Sequence, residues 1–302
     1  MKEKISHGGL RTMHYKAYKT ILSPQNGMNI FRGCTHGCIY CDSRSKCYQM
    51  DHDFEDIEIK KDAPQMLELE LSKKRKKAMV GTGAMTDPYI PLERNLEYTR
   101  RCLEVIYKHG FGIAIQTKSA DILRDIDLLE AINKRSKAVV QMTLTTYDDA
   151  LCQKIEPHVS PTSERIKVLF EMKKRGIPTV VWLSPFLPFI NDTPENIRPL
   201  LEACVEAQVK GILCFGIGLT LREGNREYFY RQLERLFPGM KEKYIEKFGY
   251  QYECRSDYND ELMKEIIGVC RAKGILYKPQ EVFQYLHSFE EKSEGIQLSL
   301  FS

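Results

Sequence analysis

The sequence predicts an α/β fold in which six short apolar strands alternate with amphipathic helices. The strands recur roughly every thirty residues, which is the length of one βαβ unit. Their lengths and their content of β-branched residues are typical of buried parallel strands. Six such units are too few to close an eight-unit barrel. The predicted strands are residues 28–32, 78–82, 112–117, 138–144, 178–183 and 211–215.

Helices are predicted between these strands from apolar spacing and from start signals. Ser160-Pro161 and Thr193-Pro194 each join a capping side chain to a proline, a pattern typical of a helix start. Five apolar residues between the third and fourth strands follow the spacing of one helix face. They are Ile122, Leu123, Ile126, Leu129 and Ile132.

Charge and helical patterning increase after residue 225, which predicts three regions along the chain. Residues 1–225 form the α/β core, residues 226–290 form a helical extension that closes one side of it, and residues 291–302 form a flexible tail. The sequence shows no low-complexity linker between these regions.

The composition is that of an ordinary soluble globular protein, with 302 residues, 42% hydrophobic and 28% charged. No apolar stretch is long enough to span a bilayer, and the N-terminus lacks the apolar segment of a signal peptide. Ten cysteines are too few for a disulfide scaffold in a chain of this length. We therefore expect a cytoplasmic protein with no membrane partner. The net charge of +4 permits contact with nucleic acid without requiring it.

Three cysteines stand close together at the end of the first predicted strand. Cys34, Cys38 and Cys41 have the spacing Cys-x-x-x-Cys-x-x-Cys, with no fourth cysteine at ligand spacing. Three thiolates can hold three irons of a cubic iron–sulfur cluster and leave the fourth iron open to a small ligand. An open metal position is characteristic of a reactive site, whereas structural zinc sites are closed. Three nearby residues offer a fourth ligand for a structural zinc site instead: His36, Cys47 and His52.

This run, with the aromatic Tyr40 before the third cysteine, resembles the cluster-binding motif of the radical S-adenosylmethionine (SAM) enzymes. The resemblance implies that the three cysteines hold a [4Fe-4S] cluster whose fourth iron binds the amino and carboxylate groups of SAM. It implies that one electron cleaves SAM into methionine and a 5′-deoxyadenosyl radical, which takes a hydrogen atom from a substrate. It also implies an electron donor such as flavodoxin or ferredoxin. The implied fold is a partial (βα)6 TIM-type barrel with an appended C-terminal helical segment, and residues 33–48 form the cluster loop.

Polar residues follow the other predicted strands, at the carboxyl ends where ligands bind in parallel α/β folds. The segments GCTHGCIYC, GAMTDPY, QTKS and LSPFLPFIND resemble the spore photoproduct lyase branch of the radical SAM enzymes, also described as DNA repair photolyase-like. That resemblance implies a set of SAM contacts in addition to Tyr40. They are Gly83 and Thr86 at the methionyl part, Asp87 at the ammonium, Lys118 and Thr143 at the carboxylate or ribose, and Ser184 at the adenine.

The chain departs from the lyase pattern at one position. The lyase has a cysteine before the serine of its second-strand loop, and that cysteine donates the hydrogen atom that ends the repair. Met85 and Thr86 occupy these positions here. A thioether has no S–H to donate, so the lyase mechanism cannot run unchanged. Cys47 and Cys254 are the candidates for another hydrogen donor.

The C-terminal residues predict a protein partner. Gln297, Leu298, Ser299, Leu300 and Phe301 resemble the peptide by which bacterial polymerases and repair proteins dock onto the replication sliding clamp. Matches of five residues are frequently accidental, and the alternative is a tail that folds back onto its own barrel.

The analogy with the lyase and the clamp-like tail together predict a nucleic acid or nucleotide substrate and a lyase-like DNA repair reaction. Two alternatives remain open. One is a radical SAM enzyme that modifies a peptide or small metabolite. The other is a non-enzymatic zinc or iron–sulfur protein that binds nucleic acid.

Overall fold

The computed structural model describes residues 4–7 and 11–292. The strands are β1 (Lys4–His7), β2 (Arg11–Lys16), β3 (Gly27–Met28), β4 (Phe31–Arg32), β5 (Ile57–Lys60), β6 (Met79–Thr82), β7 (Gly112–Thr117), β8 (Ala138–Thr143), β9 (Thr179–Trp182), β10 (Gly211–Leu213), β11 (Gly218–Thr220) and β12 (Glu253–Arg255). The helices are α1 (Ala63–Lys73), α2 (Glu93–Leu96), α3 (Tyr98–His109), α4 (Ile126–Arg135), α5 (Asp149–Ile155), α6 (Thr162–Lys174), α7 (Pro194–Glu206), α8 (Asn225–Leu236), α9 (Met240–Phe248), α10 (Asn259–Lys273) and α11 (Pro279–His287). Short 3-10 helical turns cover Asp42–Arg44, Lys46–Tyr48 and Ala120–Asp125.

Six strands form an all-parallel sheet in the order β3, β6, β7, β8, β9 and β10. Helices lie on each crossover between successive strands of this sheet, and their apolar faces pack against its outer face. Successive side chains of a strand point to opposite faces. Accordingly, Ile113 and Ile115 of β7 share the core with the outer helices, whereas Ala114 faces the inner side. The predicted partial (βα)6 barrel is confirmed.

Helix α11 fills the inner face of the sheet at the amino ends of the strands. Val282 and Leu286 of this helix pack with the inward residues of β6 to β10. Lys137, the residue before β8, donates from its Nζ atom to the carbonyl oxygens of Tyr285 and Ser288 at 2.9 and 3.0 Å. Because α11 blocks the amino ends, the inner space opens toward the carboxyl ends.

The predicted first strand, residues 28–32, is wrong in its extent because the chain changes sheets within it. β3 pairs with β6 in the parallel sheet, but β4 pairs antiparallel with β5 in a second sheet of order β1, β2, β5, β4. Lys60 N donates to the carbonyl of Ile30 at 3.0 Å, between the two short strands. The cysteine loop therefore begins at the edge of the second sheet.

The helix start signal at Thr193-Pro194 is confirmed, because the Thr193 side chain accepts a hydrogen bond from Asn196 N at the start of α7. At Ser160-Pro161 the start of α6 is placed correctly, but the predicted cap is wrong: Pro161 is the N-cap residue, and Ser160 Oγ accepts from Ala120 N at 2.8 Å instead. The single helix predicted from Ile122 to Ile132 is instead a 3-10 turn followed by α4. No helix among the described residues is long and apolar enough to cross a membrane.

Residues after 225 contribute α8, α9, β12, α10 and α11. β12 pairs antiparallel with β11, which follows the sixth strand of the barrel sheet, and α10 packs against α7. β12 and α10 therefore line the edge of the sheet next to β10, whereas α11 lies at the amino ends of the strands. The predicted clamp-binding residues 297–301 lie outside the described residues, so that partner stays a prediction.

Candidate cluster and cofactor site

The cysteine loop leaves β4 through a tight turn at Gly33. This residue has a φ of +87°, and a Cβ atom there would lie 2.6 Å from the carbonyl oxygen of Phe54. Only glycine accommodates both the positive φ and this close approach. The next residue, Cys34, donates its backbone N–H to the same carbonyl at 3.0 Å. The second sheet therefore fixes the position of the first cysteine.

The other side of the loop docks on the segment between α5 and α6. Ile39 N donates to the carbonyl of Ile155 at 3.0 Å, and His158 N donates to the carbonyl of His36 at 3.1 Å. These bonds join backbone groups, so they fix the path of the loop independently of its side chains. The cysteines are thus held between two independent parts of the fold.

A buried ion pair lies beneath this loop. Glu156 and Arg165 are both fully buried, and the guanidinium donates to one carboxylate oxygen. The Tyr40 hydroxyl donates to the other oxygen, and Arg165 Nη1 donates to the carbonyl of Thr143 at 2.9 Å. Burial alone would raise the pKa of Glu156, but the Arg165 cation and the Tyr40 hydroxyl outweigh it, so the pKa is lowered. The pair joins the cluster loop to the end of β8.

The three cysteines do not converge as the ligands of a single metal ion would. Among the described residues, the one group of three donor atoms within 4.8 Å of one another contains none of Cys34, Cys38 and Cys41. In a cubic cluster each thiolate binds a different iron, so the sulfurs need not meet at one point. Burial raises the pKa of the Cys34 thiol to about 12, so the loss of its proton has to be coupled to cluster binding.

The three alternative zinc ligands have other contacts. His36 Nδ1 lies 3.5 Å from Asp87 Oδ2, and the Cys47 sulfur accepts from Arg222 Nη1 at 3.5 Å. His52 faces a different group of side chains in the second sheet. The residues therefore fit a three-cysteine cluster better than a four-ligand zinc site.

The loop after β6 approaches the end of β7 very closely. A Cβ atom on Gly83, which has a φ of +98°, would lie 2.0 Å from the carbonyl oxygen of Gln116. Asp87 accepts hydrogen bonds from Thr117 Oγ1 and from Lys118 N, both at 2.7 Å. The observed role of the Asp87 carboxylate is thus to join two strand-end loops. Its contact with the SAM ammonium stays a prediction.

A cavity of about 1240 Å³ lies at the carboxyl ends of the strands. Cys41 lines it, together with three of the residues predicted to contact SAM, namely Tyr40, Lys118 and Ser184. Met85 and Ala84, from the loop after β6, also reach the cavity. The remaining predicted contacts are buried or lie behind this wall: Gly83, Thr86, Asp87 and Thr143.

Two polar groups near this cavity, the Lys118 ammonium and the Thr143 hydroxyl, are available to contact a bound ligand. Burial alone would lower the pKa of Lys118, but the charge that Cys38 carries as a thiolate and the negative charge of Glu156 outweigh burial and raise that pKa. The Lys118 ammonium is therefore charged and attracts carboxylates or phosphates. Thr143 Oγ1 is buried without a hydrogen-bond partner in the described part of the chain. A buried hydroxyl normally has a partner, so a ligand or a water molecule is expected there.

Several cavity residues were not predicted from the sequence. Trp182 and Phe215 place their rings 5.9 Å apart at the ends of β9 and β10, and Phe215 is 57% exposed. Arg255 on β12 and both Lys264 and Arg271 on α10 add cations. The two α10 cations are seven residues apart, a spacing that places both on one helix face. This spacing was the sequence signal for a shared cationic face on α10, but the position of α10 at the cavity depends on tertiary packing.

The two candidate hydrogen donors occupy different environments. Cys254 lies on β12 and lines the cavity, and burial raises its pKa to about 11. Cys47 is exposed in the loop after the cluster motif and contacts Arg222. Only the first of these thiols therefore shares the cavity with Cys41.

Comparison with known proteins identifies relatives of this chain. A model of the Radical SAM superfamily matches residues 28–204. An uncharacterized protein of Mycobacterium tuberculosis (strain H37Rv) is 26% identical over 227 residues, which cover 73% of this chain and 66% of that protein. A radical SAM Nα-GlyT isomerase of Pseudomonas phage M6 is 26% identical over 169 residues, which cover 56% of this chain and 34% of the isomerase. The chain thus spans just under two thirds of the mycobacterial relative and a third of the phage protein.

Among solved structures, spore photoproduct lyase complexed with a dinucleoside spore photoproduct matches with a TM-score of 0.64. The alignment covers 88% of this chain and 81% of the lyase at 11% sequence identity. An identity this low establishes a shared fold. A mutant of the same lyase was solved with bound AdoMet, which is SAM.

The chain belongs to the radical SAM superfamily, since the family model spans more than half of its residues. Enzymes of this superfamily use a [4Fe-4S] cluster and SAM, so the cofactor prediction is confirmed at the level of the superfamily. Membership favours an enzyme over the non-enzymatic alternative. The assignment of individual residues to the cluster and to SAM stays a prediction that the geometry supports.

Proposed function

We propose that this enzyme takes a hydrogen atom from a nucleic acid or nucleotide substrate bound in the 1240 Å³ cavity. The observation that carries the proposal is the composition of the cavity wall opposite Cys41. Aromatic rings from Trp182 and Phe215 stand beside the cations of α10. Aromatic faces stack on bases, and cations track a phosphate backbone.

Three carboxylates also line the wall, and two of them have cationic partners. Asp260 pairs with Arg255 at 2.7 Å, Asp42 Oδ1 lies 3.7 Å from Arg222 Nε, and Glu253 is the third. Arg271 Nε donates to the Tyr277 hydroxyl at 2.9 Å and so retains its full charge. The α10 side of the cavity therefore remains favourable for phosphate groups.

One protein of the same fold supports this substrate class. Spore photoproduct lyase was solved with a dinucleoside spore photoproduct. The resemblance of the clamp-like residues 297–301 to a docking peptide of repair proteins points in the same direction. A lyase-like repair reaction in the cytoplasm, with flavodoxin or ferredoxin as reductant, is the corresponding proposal for this chain.

When bound, the cluster supplies the electron that cleaves SAM into methionine and a 5′-deoxyadenosyl radical. The residues of the chain hold and orient the reactants. The charged Lys118 ammonium attracts an anionic group beside Cys41, and Tyr40 is held in place by the Glu156–Arg165 pair. Helix α11 closes the amino ends of the strands and limits the access of water from that side.

Hydrogen transfer from substrate to SAM-derived product tests the proposed substrate class. We expect the anaerobic, dithionite-reduced enzyme with SAM and a perdeuterated DNA oligonucleotide to form 5′-deoxyadenosine that carries deuterium, as measured by mass spectrometry. The unlabelled oligonucleotide is the control. Deuterium that comes only from a perdeuterated peptide mixture would favour the alternative of a peptide-modifying enzyme and would contradict the proposal.

We further propose that Cys254 donates a hydrogen atom to the substrate radical. Its S–H bond breaks, a C–H bond forms on the substrate, and the thiyl radical that remains on Cys254 takes up a proton and an electron from the flavodoxin or ferredoxin reductant. A thiol is a suitable hydrogen-atom donor, and the raised pKa of Cys254 keeps its S–H bond at neutral pH. Cys254 borders the cavity, but its side chain is buried in the apolar cluster with Tyr244 and Phe248, so the transfer requires this side chain to turn toward the cavity. The lyase carries its hydrogen donor at the position that Met85 occupies here, and a methionine side chain has no S–H bond.

Cys254→Ala is expected to separate the two halves of the reaction. 5′-Deoxyadenosine should still form, because that step does not need the thiol, while the yield of closed-shell product should fall strongly. In D2O the wild type should place one solvent deuterium in the product, since thiols exchange with solvent. Cys47→Ala, which removes the exposed thiol, is the matched control. Normal product yield in Cys254→Ala, with loss in Cys47→Ala, would reverse the assignment.

A further inference from the structure

Three metal-binding side chains converge in the second sheet, away from the cluster cysteines. His14 on β2 and Glu58 on β5 are direct partners in the parallel register of these strands. His52 lies in the loop before β5, and its ring centroid is 5.0 Å from that of His14. Among the described residues, these three form the one group whose donor atoms all lie within 4.8 Å of one another.

The converging atoms are buried, and the two imidazole nitrogens among them lack hydrogen-bond partners. The side chains of His14, His52 and Glu58 are 2%, 6% and 0% exposed. The atoms His14 Nε2 and His52 Nε2 have no hydrogen-bond partner in the part of the chain that the structure describes, whereas Glu58 Oε2 has the Lys16 ammonium as an ion-pair partner. Buried polar atoms are normally paired, so two unpaired imidazole nitrogens that face one buried carboxylate call for a shared ligand.

The outer atoms of the two imidazoles and of the carboxylate are held by further groups. His52 Nδ1 lies 3.0 Å from the carbonyl oxygen of Asp53. A carbonyl oxygen only accepts, so Nδ1 carries the proton and the Nε2 atom of the neutral ring presents its lone pair. His14 Nδ1 lies 3.3 Å from Asp56 Oδ1. The Tyr18 hydroxyl donates to Glu58 Oε1 and leaves Oε2 for the shared point.

The groups around these three side chains match those that hold the ligands of protein metal sites in place. Metal-bound histidines donate their other N–H to a carboxylate or a backbone carbonyl, which fixes the tautomer and the orientation of the ring. Here His14 faces a carboxylate and His52 faces a backbone carbonyl. The carboxylate of Glu58 itself accepts a hydrogen bond. Two imidazoles and one carboxylate form a known ligand set for zinc.

We propose that His14, His52 and Glu58 bind a divalent zinc ion. Zinc bonds of about 2.0 Å place tetrahedral ligand atoms about 3.3 Å apart. Glu58 Oε2 lies 3.6 Å from His14 Nε2 and 3.9 Å from His52 Nε2, so small side-chain rotations complete the geometry. The fourth position falls to water or to Asp51, whose Oδ1 atom lies 4.0 Å from His52 Nε2.

Lys16 is the competitor for this site. Its Nζ atom lies 2.8 Å from Glu58 Oε2 and 3.7 Å from Asp51 Oδ2, and its side chain is 36% exposed. The ammonium neutralises Glu58 when the metal is absent and can withdraw toward solvent when the metal binds. The two cations therefore exclude each other, and removal of the ammonium favours the metal.

The bound metal would fasten the second sheet behind the cluster loop. The loop that carries His52 also supplies Phe54, whose carbonyl accepts from Cys34 N. Arg32, the last residue of β4, donates to the carbonyls of Tyr48 and Gln49 in the same loop at 3.1 Å. The zinc site thus supports the segment on which the first cluster cysteine rests.

The zinc content and the zinc ligands of the full-length holoenzyme test this proposal. We expect one zinc per chain, in addition to the cluster iron, by plasma mass spectrometry after anaerobic purification without chelator. Zinc-edge X-ray absorption should show nitrogen and oxygen at about 2.0 Å with imidazole scattering and no sulfur at about 2.3 Å. Absence of zinc after zinc supplementation, or sulfur ligation of the zinc, overturns the proposal.

Single-residue variants test which side chains bind the zinc ion. His52→Gln should weaken zinc affinity at least about 100-fold, since loss of a ligand exceeds the usual effect of a second-shell change. His109→Gln is the matched control, because His109 lies 2.8 Å from Glu68 and has no place in the cluster of three. Lys16→Met should tighten zinc binding several-fold, because it removes the ammonium that pairs with Glu58 Oε2 when the metal is absent. Unchanged affinity in both His52→Gln and Lys16→Met overturns the assignment, and Lys16→Met decides it should His52→Gln fail to fold.

Discussion

Cys41→Ala is expected to remove the iron from this enzyme and to abolish the formation of 5′-deoxyadenosine. Cys34 and Cys38 are buried, whereas Cys41 is the cluster cysteine that lines the cavity. Its loss leaves two thiolates for a cluster that needs three, and it removes the ligand nearest the place where SAM would bind. Iron analysis and mass spectrometry of the dithionite-reduced protein with SAM measure both effects.

Cys47→Ala is the matched control for the iron content. This thiol lies six residues further along the chain, is exposed, and contacts Arg222 outside the cavity wall. Its removal should leave about four irons per chain and the iron-dependent absorbance unchanged. A Cys41→Ala protein that retained its full iron and cleaved SAM would show that the ligand assignment is wrong.

Arg165→Met should lower the free energy of unfolding by about 3–5 kcal/mol, because it leaves Glu156 as a buried charge without its partner. Both side chains are fully buried, and Arg165 also holds the carbonyl of Thr143 at 2.9 Å. Urea unfolding of the apoprotein at pH 7 measures the change. Arg175→Met is the control, since the Arg175–Glu130 pair is partly exposed and should contribute less than about 1 kcal/mol.

The cost of Arg165→Met should depend on pH in a defined direction. The pKa of Glu156 is lowered in the folded protein, so its contribution to stability is complete above the usual carboxyl pKa. That contribution is lost as the pH falls through the folded-state pKa. The difference between wild type and variant should therefore shrink in acid. A difference that grows in acid, or one no larger than that of Arg175→Met at pH 7, would contradict this account.

The parts of the fold that are encoded locally were predicted well. Strand β7 was predicted with its exact bounds, 112–117, because a run of apolar residues ends at a glycine on one side and polar residues on the other. The cluster motif was recognised because its three ligands lie within one short loop. The break between β3 and β4 was missed, since an apolar run does not reveal which of two sheets each residue will join.

Sites assembled from distant segments could not be predicted in the same way. His14 and Glu58 come together only because β2 and β5 pair in one particular register, and each residue alone is unremarkable in the sequence. Phe215 was placed inside the predicted strand 211–215, but the strand ends at Leu213 and leaves the ring in the cavity. Such positions depend on tertiary packing, which periodicity does not report.

The position of α11 limits the routes into the cavity. In the described chain this helix occupies the amino ends of the strands, so small and large molecules share the mouth at the opposite end. In the arrangement proposed above, with SAM beside Cys41 and a polymer against α10, the polymer would cover SAM. That arrangement predicts that SAM binds first and that its fragments leave last.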